Sequence, residues 1–338
     1  MASRACCAPW CSIPVAPRTL PAIFARCPGP SWRRPRNLAV PEDGLLLDFR
    51  PGNTLRGLAR ELVERGVLDH PYWLRLLGRD TGLAARLQAG EYRIAPGTRP
   101  EGLLRQLAAG RVLQHELTLV EGHNFREMMA RIRSHPVLVQ TLAELPDEAI
   151  MERIDQPGEH PEGRFLPDTY HFPRGTTDVE FLRRAYAAME RVLNEAWEKR
   201  AEGLPLKTSY EALILASIVE KETGLPEERG TIAGVFVRRL QKGMRLQTDP
   251  TVVYGAGPDF DGRIRYVHLR TDTPYNTYTR HGLPPTPIAM PGIEAIQAAL
   301  HPEPGDALYF VSRNDGSHHF SATLAEHNRA VDKYQRNR

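Results

Sequence analysis

Cysteine is confined to the first 27 of the 338 residues, at Cys6, Cys7, Cys11 and Cys27. The rest of the chain is thiol-free. This excludes disulfide bracing of the body, a cysteine nucleophile there and a Cys-based zinc site. The four early thiols are irregularly spaced with no histidine near them, which does not suit a metal. A surplus of charge of one sign is also missing: 44 Lys and Arg stand against 41 Asp and Glu. No basic stripe with interleaved aromatics occurs, so a nucleic-acid partner is excluded. Lysine is scarce and arginine supplies nearly all the cations, a coding bias and not a function. Residues 1–40 lack any apolar run near the roughly 20 residues that cross a bilayer. They also lack the ordered regions of a signal peptide, and residues 1–43 read as an unstructured leader rich in Pro and Arg. Apolar residues at 41% and charged ones at 25% are enough for a real core at this length.

From Leu45 the texture changes. A short strand, Leu45–Phe49, leads through the Pro51–Gly52–Asn53 turn into a helix capped by Thr54, with Leu55, Leu58, Leu62 and Val63 on one face and Gly66 as its stop. The unit returns as a strand at Glu91–Ile94, a Pro96–Gly97 turn and a helix bearing Leu103, Leu104 and Leu107. A weaker third copy is Glu116–Val120, the Glu121–Gly122 turn and a helix from about Asn124 to Ile132. One such unit cannot bury its apolar face alone, so the copies must pack together. The spacing predicts an α+β fold. Further on, Leu182, Ala185, Tyr186, Met189, Val192, Leu193 and Ala196 give a long helix an apolar stripe that fits core packing.

Thr208 and Glu211 form a capping-box pattern, and the helix they open runs apolar on every side through Val219, so it belongs in a core. Its end carries Ser217, Glu220, Lys221 and Glu222. Glu220 shares the face of Ser217, while Glu222 lies about 200° around the axis, so the two carboxylates are not a dyad. A carboxylate one turn from the end of a buried helix opens from an apolar wall. Desolvation there raises its pKa toward the range of a general acid, and the helix C-terminal dipole acts in the same direction. Charged helix ends are also common on solvated surfaces, and composition alone does not separate the two cases.

Several long motifs in register do. Leu215–Thr223, reading LASIVEKET, is similar to the signature of the YceG-like endolytic murein transglycosylases. Glu162–Tyr170, Met244–Gly255, Tyr275–Tyr278 with Gly282–Ile288 and Pro291–Gly292, and the segments from Tyr309 to Asn328 agree with the same family in the same order. The resemblance spans about residues 42 to 335. It implies a catalytic domain at 113–335 with Glu220 as the catalytic acid, cleaving MurNAc–GlcNAc β-1,4 bonds inside nascent peptidoglycan strands without a cofactor. It also implies penicillin-binding synthases as partners and a single-pass inner-membrane anchor with the catalytic domain in the periplasm. A wrongly assigned start codon, with translation of a non-coding frame, would account for the leader that stands where an anchor is expected; a real anchorless variant is the alternative. Residues 44–112, with Pro51-Gly52-Asn53-Thr54-Leu55 before a helix, resemble a LysM module, a family that binds GlcNAc-containing glycans.

One carboxylic acid can serve both halves of a lytic transglycosylation, in which the C6 hydroxyl of the same MurNAc attacks C1 to leave a 1,6-anhydro end. A hydrolase would need a second carboxylate, and Glu162 and Asp168 are the candidates. Ser217, Gln247, Thr248, Asp249, Tyr275, Asn276 and Tyr278, with Glu162 and Asp168, are the expected substrate-binding residues, because amides, hydroxyls and aromatic rings suit sugars. Turn chemistry is the competing account of each except Ser217. His318, His319 and His327 lack a paired carboxylate ligand, so no metal is expected. A muramidase and a non-catalytic glycan-binding scaffold stay open beside the transglycosylase, and product ends distinguish the first two.

Overall fold

The computed structural model describes residues 37–258 and 260–336. The four cysteines and residues 1–36 of the expected leader lie outside the described residues. Residues 37–43 of that leader are not loose: Leu38 is buried, its N–H donates to Thr98 O (2.8 Å), and Ala39 N–H donates to Val67 O (2.9 Å). The chain is therefore tied down before residue 44.

The architecture is α+β, with twelve α-helices and six short strands among the described residues. The strands pair two by two and form no extended sheet. Two compact units are distinguishable. One comprises the described residues up to Leu45 with Gly52–Leu87 and Ile94–Ala109; the other comprises Leu46–Pro51, Gln88–Arg93 and everything from Gly110 onward.

In the smaller unit, α1 (Leu55–Glu64) starts at Thr54, whose hydroxyl accepts Gly57 N–H as the sequence predicts. Its stripe of Leu58, Ala59 and Leu62 is fully enclosed. A helix outside the strand-turn-helix repeats, α2 (Pro71–Asp80), begins with His70 as cap and Pro71 at its first position, where a missing N–H costs nothing. Gly78 permits its close approach: a Cβ there would lie 2.4 Å from a Leu55 methyl. The third helix is α3 (Pro100–Ala108).

The larger unit holds β1 (Leu45–Phe49, all but its first residue), most of β2 (Gly90–Ile94) and two adjoining cores. β3 (Gln114–Thr118) pairs antiparallel with β4 (Thr169–Pro173), Leu117 opposite Tyr170. This pair, with α4 (Phe125–Ser134), α5 (Asp147–Arg153) and the first half of α6 (Asp178–Glu198), encloses an aromatic core around Phe125, Phe165, Phe172 and Phe181. The second half of α6, with Met189, Leu193 and Ala196, enters another core built from α7 (Ser209–Glu222), α8 (Pro226–Gln241) and α11 (Ile293–Leu300). The stripe read on α6 is thus core along its whole length, and it joins the two. Between α8 and α11 come α9 (Asp249–Ala256) and α10 (Tyr266–Arg270). The chain closes with the hairpin of β5 (Tyr309–Ser312) and β6 (His318–Ser321), followed by α12 (Leu324–Val331).

Asp178, 1% exposed at the start of α6, holds the segment between α4 and α5. Its carboxylate accepts the N–H groups of Thr141 and Leu142 (both 2.9 Å) and the Thr141 hydroxyl (2.5 Å). Asp178→Ala strands the buried Leu142 N–H, and its desolvation cost of about 1–3 kcal/mol should appear as a lower denaturant midpoint with an unchanged slope. A midpoint equal to wild type would show that water replaces the carboxylate without penalty.

Candidate active site

Eight consecutive residues of α7, Ala212–Val219, are buried before the helix turns polar. Thr208 caps it by accepting Glu211 N–H, but Glu211 reaches back to Lys207 N–H (2.5 Å) and not to Thr208, so the reciprocal capping box is incomplete. The helix stops at Glu222 with Thr223 extended; Gly224 does not take the left-handed stop, because α8 begins at once with Pro226.

Glu220 leaves this buried stretch half-buried, and its Oε2 accepts the N–H of Gly292 (3.0 Å), the residue that caps α11. The turn after β3 closes the other side. Gly122 N–H donates to Met290 O (2.9 Å), Lys221 Nζ donates to Gly122 O (3.1 Å), and a Cβ on Gly122 would lie 3.9 Å from Glu220 Cγ. Burial pushes the Glu220 carboxyl above the usual carboxylate range. The Gly292 N–H opposes this, the negative charge of Glu121 adds to it, and Arg229 and Lys221 oppose it.

Gly122 and Lys221 also line a cavity of about 790 Å³, whose wall includes Glu162, Asp249, Tyr254 and Tyr275. Three of the expected binding residues therefore share one cavity beside Glu220. Glu162 is 3% exposed; its carboxyl accepts Phe125 N–H (3.0 and 3.2 Å to its two oxygens) and the Tyr254 hydroxyl (2.9 Å). Burial pushes it up to about 7 against the pull of those hydrogen bonds. The Tyr254 ring meets Tyr275 edge-on at 4.8 Å, and the Tyr275 hydroxyl bonds Thr286 (2.9 Å). Asp249 opens α9 and accepts the Tyr278 hydroxyl (2.6 Å).

The other candidates do not face the cavity. Ser217 has no exposure: its hydroxyl donates to Ile214 O (2.7 Å) and accepts Ile288 N–H (3.0 Å), which fastens the 286–290 loop to α7. Thr248, 2% exposed, donates to Glu222, and its N–H goes to the Thr277 hydroxyl (3.1 Å). Asn276, 1% exposed, donates to the carbonyls of His268, Leu269 and Thr271. Their polar groups are consumed by backbone and neighbouring side chains, so the contact with sugar expected of them is replaced by support of the walls. Gln247 is exposed with φ of +52°, uncommon for a residue with a side chain. Asp168 is exposed and accepts the N–H of its neighbour Thr169 (2.7 Å), which is turn chemistry. Glu222, on the opposite side of α7 from Glu220, is pushed up to about 7 by burial, while the Thr248 hydroxyl lowers it. The histidines separate: His318 pairs with Glu228 (2.6 Å), His327 stacks on Tyr309, and His319 lies beside Tyr334. Residue-by-residue reading missed Tyr254, which stands inside a recognised motif, and Glu121, visible only as half of a Glu-Gly turn.

A sequence profile of the YceG-like family matches residues 47–333. The chain belongs to that family. It is 33% identical over 309 residues to the endolytic murein transglycosylase of Bacillus subtilis (strain 168), covering 85% of this chain and 84% of that one. It is 27% identical to the endolytic murein transglycosylase of Streptococcus pneumoniae serotype 2, covering 84% of this chain and 57% of that longer protein. The crystal structure of a YceG-like protein from Listeria monocytogenes superposes with a TM-score of 0.54 at 26% identity, over 86% of this chain and 99% of that one.

Glu162 and Glu222 both hold protons in the folded state that the unfolded chain releases at lower pH. Stability from such groups is fully present below the unfolded carboxyl value and is lost as pH rises through the folded value of about 7. The melting temperature should therefore fall from about pH 5 to about pH 8, and Glu162→Gln should flatten that fall. An equal slope in wild type and variant would remove Glu162 as a source.

Proposed function

We propose that this chain is an endolytic lytic transglycosylase of murein, with Glu220 as its one acid and base. The observation that carries this reading is a half-buried carboxyl at the end of an enclosed helix, with one oxygen tied to Gly292 N–H, bordering a cavity lined by aromatic and hydroxyl-bearing residues. Because Oε2 already accepts that N–H, the other oxygen is left to carry the proton. Glu220 donates it to the glycosidic oxygen between MurNAc and GlcNAc as the C1–O4 bond breaks. The resulting carboxylate then takes the proton of the C6 hydroxyl, whose oxygen bonds C1. The product is a 1,6-anhydro-MurNAc end, water is not consumed, and the acid is restored. Tyr254, Tyr275 and Asp249 are the groups for sugar contact, with Tyr278 steering Asp249.

Residues 113–335 form the catalytic domain of this reading and residues 44–112 a LysM-like glycan-binding module. Two features support the latter: the strand, helix, helix, strand order from β1 to β2, and the hydrogen bonding of those two strands to each other. The site of action is the cell wall. Penicillin-binding synthases are the partners and an inner-membrane anchor the location that fit a cut in nascent strands. No helix of the described residues is long and apolar enough to cross a membrane.

Glu220→Gln keeps size and the Gly292 contact but cannot donate an acidic proton. Its rate of anhydro-product formation, followed by mass spectrometry of digested glycan, should fall by about 10²–10⁴-fold or more with the melting temperature kept. Glu222→Gln should cost far less. A Glu220→Gln enzyme retaining above about a tenth of the wild-type rate, outside the range for an essential acid, would transfer the role to another carboxyl. Products with reducing ends would make the enzyme a muramidase.

A further inference from the structure

Glu121 stands in the turn after β3, exposed, and its carboxylate makes no hydrogen bond or ion pair with the described residues. It nonetheless occupies a specific place. It lies against the Cα of Gly292, where a Cβ would come within 2.0 Å of Glu121 Oε1. The N–H of the same Gly292 holds Glu220. Backbone geometry does not demand glycine there, since φ of −72° and ψ of 169° are open to any residue. What the missing side chain provides is room for a carboxylate beside Glu220.

Two like charges converging on one residue disfavour double ionisation. The other groups facing Glu220 act the opposite way. Lys221 on α7, whose amine also engages Gly122 O, Arg229 on α8, which is paired with Glu294, and the Gly292 N–H at the head of α11 all favour its ionised form. We propose that Glu121 is a positioning residue of the reaction, an unpaired carboxylate seated on Gly292 that keeps the neighbouring Glu220 protonated until the leaving oxygen takes its proton. This rests on the reading of Glu220 as the acid.

The test is the pH dependence of kcat/KM for anhydro-product formation by the full chain, in wild type, Glu121→Gln and Gly292→Ala. The last displaces the Glu121 carboxylate while preserving the N–H to Glu220. A general acid is lost as pH rises through its pKa, and removing the negative neighbour lowers that pKa. The basic limb should therefore move to lower pH in both variants, by about half a pH unit at low salt for a partly screened charge. The gap from wild type should narrow as salt is added. A limb that stays in place in folded Glu121→Gln, or a profile scaled down equally at every pH, overturns the proposal. Should Glu121→Gln fail to fold, the limb of Gly292→Ala decides. An active Glu220→Gln enzyme would sink the acid assignment itself; an inactive one beside an unmoved Glu121→Gln limb would sink only the role of Glu121.

Discussion

A helix with no polar face has to be surrounded, and surrounding α7 is the constraint from which the larger unit follows. α6, α8 and α11 pack on it and α9 meets it near its end. Ser217, the lone hydroxyl in its buried run, is turned to structural use by fastening the 286–290 loop through Ile288 N–H. The only part of α7 left to meet anything reactive is its last turn. Enclosure by apolar neighbours costs a carboxylate its hydration, and the few polar partners nearby restore part of it. This balance leaves Glu220 above its ordinary pKa range without making it inert.

The same unit contains three unusual carboxyls in three different settings. Glu162 is nearly closed off and is fully hydrogen-bonded by Phe125 and Tyr254, which joins its own loop, the start of α4 and α9 around one wall of the cavity. Glu222 is bonded by Thr248 and faces away from Glu220. Glu220 likewise has one donor, Gly292 N–H, but it lies beside the cavity that Gly122 and Lys221 line. Proton chemistry on a substrate needs that combination. The other two carboxyls suit a structural role, at the cost of a folded state that grips protons near neutrality.

Much of this was legible along the chain. Thr54 and Thr208 mark helix starts because a hydroxyl beside free N–H groups is a local matter. The stripe of α6 and the apolar run of α7 announce burial because periodicity is set by helical geometry alone. The position of Glu220 at the edge of that burial, and the motifs shared with the YceG-like family, are likewise properties of the linear order. What tertiary structure decided is where the hydrogen bonds of the remaining polar residues end. Ser217, Thr248 and Asn276 carry the groups that suit a sugar, yet their partners are Ile288, Glu222 and the 268–271 carbonyls, which lie up to 71 residues away in sequence. The meeting of Glu121 with Glu220 at Gly292 is decided the same way, since charges felt through space depend on separation in the fold and not along the chain.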